Sequence, residues 1–189
     1  MNSPNFKVIK LNIDLSDLDL PSQYGGNVGR LIEDELERQG FTINRQQGVD
    51  IPGLGVEVKT RKLGSDSPHT VASMTIADIV NTPYNKSPVK EKFTRQFRVT
   101  YDDVNHNIVE ARIYDFDDEH TQRLNGASYE DARAKIIAGD RSTYISGDHG
   151  HFQKVPGTED SYTYRINNSA MKKFCNGAKS TFNTLYEWQ

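Results

Sequence analysis

Two acidic residues and a lysine that could act together lie in one short segment, residues 48–62, which reads GVDIPGLGVEVKTRK. Residues 49–51 and 55–60 should form two short strands, a hairpin joined by the Pro52-Gly53 turn. Residues two apart on a strand point to the same face, so Glu57 and Lys59 should project together, and pairing of the two strands should bring Asp50 beside them. Two carboxylates at one point offer the hard oxygen ligands that Mg²⁺ prefers, and a neighbouring ammonium tempers their repulsion. Such a centre can hydrolyse phosphodiesters, because the cation polarises the phosphoryl oxygen and acidifies a bound water that Lys59 would orient.

The alternative interpretation of this segment is structural. An acid-x-Lys triplet on a strand occurs by chance in many proteins, where it forms an ordinary exposed ion pair on the polar face of a surface hairpin. The triplet alone therefore favours the structural interpretation.

A helix ahead of the segment offers a third carboxylate. Residues 27–39 carry an apolar stripe at helical spacing, and Gly40 is placed to end the helix. Glu33 lies at the margin of the stripe, with Gly29 one turn earlier clearing space, so Glu33 could face the hairpin. It would bind a metal through water or share a second metal. Glu37 is a weaker candidate for this role, and an exposed helix-surface Glu is the structural alternative.

These residues resemble the PD-(D/E)XK nucleases, within them the branch that contains the mismatch-repair nicking enzyme MutH and related type II restriction enzymes. Residues 27–33, NVGRLIE, look like the first-helix motif of that branch, a Gly, two apolar residues and a catalytic Glu. The spacing of Asp50 from the Glu57-x-Lys59 triplet also matches, with six residues between Asp and Glu. Residues 89–95, VKEKFTR, are similar to a basic segment that carries a further active-site lysine, here Lys92.

The resemblance implies a restriction-endonuclease-like core that hydrolyses double-stranded DNA with Mg²⁺, which Mn²⁺ can replace. Asp50 and Glu57 would bind the cation together with the Val58 carbonyl, and Lys59 would assist the attacking water. In-line attack would leave a 5′-phosphate and a 3′-hydroxyl. The implied catalytic residues are Glu33, Asp50, Glu57, Lys59 and Lys92.

The resemblance also implies residues that contact DNA. Residues 164–170, YRINNSA, match a family segment whose Arg contacts a base edge, which gives that role to Arg165. An Arg fork can bond both major-groove acceptors of guanine, although a strand-end salt bridge or a phosphate contact is an equal alternative. Tyr186 resembles a family tyrosine that touches the target base. Further implied DNA contacts are Gly26, Asn27 and Arg95.

Composition is that of a water-soluble globular chain, with 26% charged residues, and no apolar run approaches the length of a membrane span. The N-terminus lacks the features of a secretory signal, so we expect a cytoplasmic protein. The lone Cys175 cannot form an internal disulfide, and we interpret it as structural.

Net charge is −3, which argues weakly against nucleic acid as a partner. The charges are unevenly distributed along the chain, so a polarised surface is possible, although charge clusters are usually solvated faces. The densest cationic cluster contains Lys86, Lys90, Lys92, Arg95 and Arg98.

The order of elements predicts an α/β fold, a central mixed sheet flanked by helices. Residues 97–113 should form a second hairpin, and a capping box at Ser128 should open a helix that stops at Gly139. Strands near 150–155 and 161–166, a helix around 169–176 and an extended segment ending at Trp188 should follow. We expect one domain over residues 1–189, with a catalytic core at about 25–115 and a smaller DNA-reading lobe at about 120–189.

Three alternatives to a site-specific DNA cutter stay open. The first is a strand-specific nickase of the mismatch-repair kind; the chain is shorter than that enzyme, which favours a stand-alone restriction-type cutter. The second is a non-catalytic DNA-binding module with a nuclease fold, and the third is an acidic α/β protein whose hairpin is structural. A nucleotide cofactor is not expected, because no Gly-rich phosphate loop is present, and the chain would act as a monomer or homodimer.

Overall fold

The computed structural model describes residues 26–181, and describes side chains over residues 28–178. The helices are α1 Gly26–Arg38, α2 Ile76–Asn81, α3 Pro88–Thr94, α4 Glu119–Ile137 and α5 Asn168–Gly177, with a 3-10 helix at Tyr84–Lys86. The strands are β1 Glu57–Lys62, β2 His69–Thr75, β3 Arg95–Asp102, β4 Asn107–Asp115, β5 Tyr144–Ser146, β6 Gly150–Lys154, β7 Ser161–Ile166 and β8 Lys179–Thr181.

The chain divides into two compact units. The described part of the first comprises residues 26–65, 96–114 and 180–181, and the second comprises residues 66–95 and 115–179. Residues 66–95, which sequence analysis assigns to the catalytic core, therefore pack within the second unit.

Helix α1 forms as its apolar pattern predicts. Val28, Ile32 and Leu36 are buried on one face and join the core of the first unit. The helix ends where Gly40 adopts a positive φ of 96°, and the Phe41 N–H then bonds back to the Leu36 carbonyl. Glycine adopts this left-handed conformation without steric cost, which makes it a common C-terminal cap.

The sheet of the first unit has the order β1-β3-β4-β8. Strands β1 and β3 are parallel, so the chain between them must cross over, and it does so through residues that fold into the second unit. Strands β3 and β4 are adjacent and joined by a short turn, as the predicted second hairpin requires.

The predicted first hairpin is smaller than expected. Ile51 and Val56 form a single antiparallel bridge, with hydrogen bonds in both directions between their backbones, and no strand forms at residues 49–51. The expectation of two paired strands was wrong. Strand β1 pairs with β3 instead.

The second unit contains an antiparallel sheet in the order β2-β7-β6-β5, with α4 packed against β5 and β6. Its buried face carries Phe152, Tyr162, Tyr164 and Ile166, which alternate along β6 and β7 with more exposed residues. The described strands thus form two sheets flanked by helices. The sheet of the first unit contains the parallel pair β1-β3, and the sheet of the second unit is antiparallel. The α/β class is confirmed, but the single central sheet that the sequence predicts is replaced by two.

The start of α4 differs from the prediction. The helix begins at Glu119, and the Asp118 side chain caps it by accepting a hydrogen bond from the Thr121 N–H. Ser128 lies inside the helix, where its hydroxyl accepts from the N–H groups of His149 and Gly150. A capping box at Ser128 was therefore wrong, because that hydroxyl joins α4 to the β5–β6 connection. The predicted strands β6 and β7 and the helix α5 are confirmed.

Among residues 26–181, no helix combines the length and apolar character needed to cross a membrane.

Candidate active site

Strand β1 carries the acid-x-Lys pair. Val56 and Val58 are buried in the core of the first unit, so Glu57 and Lys59 point to the opposite face, as the strand period requires. The Lys59 Nζ lies 2.8 Å from Glu57 Oε1. The Glu57 side chain is only 3% exposed and that of Lys59 is 21% exposed. This is a largely buried ion pair rather than the exposed pair of the structural alternative.

Asp50 is fixed to the same strand. Its Oδ2 accepts a hydrogen bond of 2.7 Å from the Val58 N–H, across the turn that the Ile51–Val56 bridge closes. Val58 lies between Glu57 and Lys59 in the chain, so the Asp50 carboxylate is held against the backbone between these two residues. The structure thus fixes Asp50 to the strand that carries Glu57 and Lys59.

Glu33 lies within electrostatic reach of both acids. Burial raises the pKa of its half-buried carboxyl, the Asp50 charge raises it further, and Glu57 adds a smaller effect in the same direction. Arg45 opposes these effects. The helix that carries Glu33 packs against β1, so the charges of Asp50 and Glu57 act on this carboxyl.

Glu37 is excluded from this group by its partner. Its carboxylate lies 3.2 Å from the Arg45 guanidinium, which also binds Asp34 at 2.5 Å, and more than half of the Glu37 side chain is exposed. The weaker candidate on α1 thus belongs to a surface ion-pair network.

Gly29 does not clear space in the way proposed from the sequence. A Cβ at this position would meet the Thr60 side chain at 3.8 Å, an ordinary van der Waals contact. Gly29 lies where α1 packs on β1, and the packing leaves room for a methyl group.

Across residues 26–181, no group of three or more His, Cys, Asp or Glu side chains is arranged to hold a metal ion. Glu33 is therefore near Asp50 and Glu57 without completing a three-carboxylate ligand set. The donor set that these residues offer is two carboxylates, from Asp50 and Glu57, beside the backbone of Val58.

Two polar residues on β3 adjoin the pair, and neither was expected at the site. Gln96 stands beside Glu57 and Arg98 beside Lys59 in the parallel register of β1 and β3. Gln96 is fully buried, and Arg98 Nη1 donates to its Oε1 at 2.7 Å. The sequence marked Arg98 only as part of a cationic cluster, because the pairing of β3 with β1 has no local sequence signal.

Lys92 and Arg95 belong to the second unit. Lys92 lies half-buried in the last turn of α3. Arg95 forms an ion pair of 2.9 Å with Asp115.

Arg165 lies near the end of β7, paired with Thr70 on β2 and with His151 on β6. Within the described residues it makes no ion pair, and its buried Nε has no hydrogen-bond partner. The salt-bridge alternative thus has no partner in that part of the chain. Burial lowers the pKa of His151, whose Nδ1 lies 3.2 Å from Asn167 Oδ1, an atom that accepts a hydrogen bond from the ring.

The other predicted DNA contacts are only partly described. Gly26 and Asn27 form the first residues of α1, and their side-chain environment lies outside the described part. Tyr186 lies outside the described residues altogether.

No protein-family model matches the chain, and none of the curated proteins with which it was compared matches it either.

Proposed function

We propose that the chain is a magnesium-dependent endonuclease that hydrolyses phosphodiester bonds of double-stranded DNA at the centre formed by Asp50, Glu57 and Lys59. The observation that carries this proposal is the burial of Glu57, which is charged, lies on the polar face of β1 and is nevertheless almost inaccessible. A buried ion pair contributes little or nothing to stability relative to apolar packing, because desolvation offsets its Coulomb attraction. Its presence is better explained by a chemical role.

The acidic surroundings of the pair support the same conclusion. Asp50 is fastened to β1 beside Glu57, and Glu33 is close enough for both charges to raise its pKa. The charges of Asp50 and Glu57 disfavour ionisation of Glu33 in the absence of a cation, since like charges repel. A carboxyl whose pKa is raised by burial and by neighbouring acids, as that of Glu33 is, is typical of functional sites.

The donor set suits Mg²⁺. This ion typically takes one or two protein carboxylates and retains several waters, so Asp50 and Glu57 are sufficient, with the Val58 carbonyl as a third protein ligand. Mn²⁺ accepts the same oxygen ligands. When bound, the cation would polarise a phosphoryl oxygen and activate a coordinated water.

Three further residues would have roles beside the cation ligands. Lys59, held on Glu57, would orient the attacking water or stabilise the charge that develops on the phosphate. Glu33 would act through water, since it lies outside direct ligand geometry. Lys92 remains a further candidate through the family resemblance.

The resemblance to PD-(D/E)XK nucleases of the MutH-like branch supplies the substrate class and the restriction-endonuclease-like core. Arg165 is the candidate for base recognition, because its guanidinium contains a buried Nε without a partner among the described residues. An arginine fork can bond the O6 and N7 acceptors of guanine.

The test is cleavage of supercoiled plasmid by purified protein with Mg²⁺, with Mn²⁺ and with a chelator. We expect cleavage with either cation and none with the chelator, and sequencing of the cut ends should show 5′-phosphates. Linear product indicates a restriction-type cutter, and open circles that accumulate indicate a nickase. Salt-dependent DNA binding without cleavage under any condition would refute the catalytic proposal and leave a DNA-binding module.

A further inference from the structure

The antiparallel sheet of the second unit carries Arg165 beside a histidine, on the face turned away from α4. On the other face, Tyr164 and Phe152 are fully buried against Tyr129 of α4, so their strand neighbours Arg165 and His151 point away from that helix. Arg165 and His151 are directly opposite in the register of β7 and β6, which places their Cβ atoms about 4.5–5.5 Å apart. The two side chains therefore form an adjacent pair on one surface.

The row that contains this pair ends in exposed residues on both sides. Thr70 on β2 is the register partner of Arg165, and Ser146 on β5 is that of His151. Both are exposed, whereas Arg165 and His151 are half-buried. A ligand can therefore approach the row from solvent.

Asn167 determines which nitrogen of His151 carries the proton. The Nδ1 atom of His151 lies 3.2 Å from Asn167 Oδ1, and an amide oxygen only accepts, so Nδ1 donates this hydrogen bond. A neutral imidazole has a single N–H, which leaves Nε2 as an acceptor. Burial and the charge of Arg165 both lower the pKa of His151, so the ring is neutral at neutral pH.

The position of Asn167 in the chain gives a separate reason to regard this contact as specific. Asn167 precedes α5 as its N-cap residue, a place where an asparagine side chain commonly accepts a hydrogen bond from the helix backbone. The Asn167 side chain makes no such bond to α5. Its amide therefore holds the histidine rather than the helix.

The pair offers donors from one residue and an acceptor from the other, which suits a base edge better than a phosphate. Phosphate oxygens accept only, so the Nε2 lone pair of His151 has nothing to bond there. In the major groove, guanine presents two neighbouring acceptors, O6 and N7, and its partner cytosine presents the N4–H₂ donor. An A·T pair places its donor between its two acceptors, which does not match an arginine fork beside an acceptor.

We propose that Arg165 and His151 together recognise one G·C base pair in the major groove, with Arg165 donating to guanine O6 and N7 and His151 Nε2 accepting from cytosine N4. Asn167 is the positioning residue that holds the imidazole. The inference rests on the proposed function, because it takes double-stranded DNA as the substrate. It adds the identity of a base pair and a second residue that contacts it.

The first experiment selects binding sites from a library of DNA duplexes with a random central segment, with Ca²⁺ as the divalent cation so that binding is measured without rapid cleavage. Wild-type protein should enrich a motif with a G·C pair, and both Arg165→Ala and His151→Ala should lose the preference at that pair. His120→Ala is the matched control, since His120 is an exposed histidine of α4 in the same unit, and it should enrich the wild-type motif.

A chemical probe tests the His151 contact without changing the protein. N4-methylcytosine at the selected pair replaces the N4–H that faces the major groove with a methyl group and keeps the Watson–Crick bond. Wild-type protein should bind this duplex roughly tenfold more weakly than the unmodified duplex. His151→Ala should bind the two duplexes equally.

The same ratio of affinities tests the positioning role of Asn167. Without its amide the imidazole can change tautomer, so Asn167→Ala should bring the ratio closer to one. A purely structural role would leave the ratio at the wild-type value. Thermal melting of each variant checks that it is folded.

The outcomes distinguish the inference from the function on which it rests. If wild-type protein cuts DNA but enriches no G·C pair, or binds the methylated and unmodified duplexes equally, the base-pair contact is wrong and the nuclease proposal stands. Retention of the G·C preference by both Arg165→Ala and His151→Ala has the same meaning. If wild-type protein neither binds nor cuts DNA, both are overturned.

Discussion

Replacement of Lys59 by Met should expose the energetic cost of the buried pair. The substitution removes the ammonium that lies 2.8 Å from Glu57 but keeps a side chain of similar length. Breaking a fully buried ion pair by removing one partner costs about 3–5 kcal/mol, because a charge is left buried and unpaired. Since a fifth of the Lys59 side chain is exposed, we expect the free energy of unfolding to fall by about 2–3 kcal/mol.

The assay is thermal unfolding at neutral pH in the absence of divalent cations. For a domain of this size, 1 kcal/mol shifts Tm by about 2–4 °C, so Lys59→Met should melt about 4–12 °C below wild type. Adding Glu57→Gln in the same chain should recover most of that loss, because it removes the unpaired charge. Recovery identifies the buried carboxylate, rather than lost packing of the lysine stem, as the cause.

A cation should partly replace the missing ammonium. A tenfold excess of Mg²⁺ over its Kd stabilises a one-site protein by about 1.4 kcal/mol, and Lys59→Met should show this rise while Glu57→Gln shows little of it. A Tm of Lys59→Met equal to that of wild type, or a double variant with Glu57→Gln that melts as low as Lys59→Met alone, would show that the buried Glu57 charge does not carry this cost.

Three further predictions concern the surroundings of the site and the second unit. Gly29→Ala should raise Tm slightly, because alanine stabilises a helix by about 0.5–1 kcal/mol relative to glycine and the new methyl group would meet Thr60 only at 3.8 Å. A lower Tm would contradict this description of the packing. Gly147→Ala should destabilise by about 1–3 kcal/mol in denaturant titration, because its Cβ would stand 2.1 Å from the Ser128 carbonyl oxygen, and an unchanged midpoint would contradict that contact. Burial and a neighbouring guanidinium lower the pKa of His151 from its ordinary 6.5, so the unfolded chain binds this proton first and stability falls as pH drops below that value. When melting curves are recorded at decreasing pH below 6.5, the Tm of His151→Gln should therefore fall less than that of wild type. Equal falls in Tm would show that His151 does not cause this loss of stability.

The local parts of the site could be predicted from the sequence. Strand periodicity was enough to place Glu57 and Lys59 on one face, and a turn dipeptide was enough to return Asp50 towards them. Helical periodicity placed Glu33 at the margin of the α1 stripe. Each of these inferences uses residues that are close in the chain, where geometry follows from backbone period and turn chemistry.

The parts that escaped prediction depend on distant residues or on polar packing. The parallel pairing of β1 with β3, which brings Gln96 and Arg98 beside the pair, joins segments that are far apart in sequence. Strand β2 lacked clean alternation because its register with β7 shifts between Thr70 and Ala72, so that consecutive residues are buried.

The first half of α4 was missed for a related reason. Its buried face uses polar residues, among them Thr121, Asn125 and Ser128, so the apolar stripe that marks a helix is absent there. Asn125 is satisfied by hydrogen bonds with Tyr84 and Tyr164. Such a network depends on tertiary partners that a single sequence does not reveal.

The most direct test of the central claim is the single-turnover rate of plasmid cleavage by Asp50→Asn and Lys59→Ala, each measured beside a matched control. Glu110→Gln removes a carboxylate from β4, and Lys62→Ala removes an ammonium from the exposed end of β1, where it pairs with Asp103 at 2.5 Å. We predict that the two site variants fall by at least about 10²-fold while both controls cut at the wild-type rate. Cleavage by Asp50→Asn or Lys59→Ala at the wild-type rate would contradict the account.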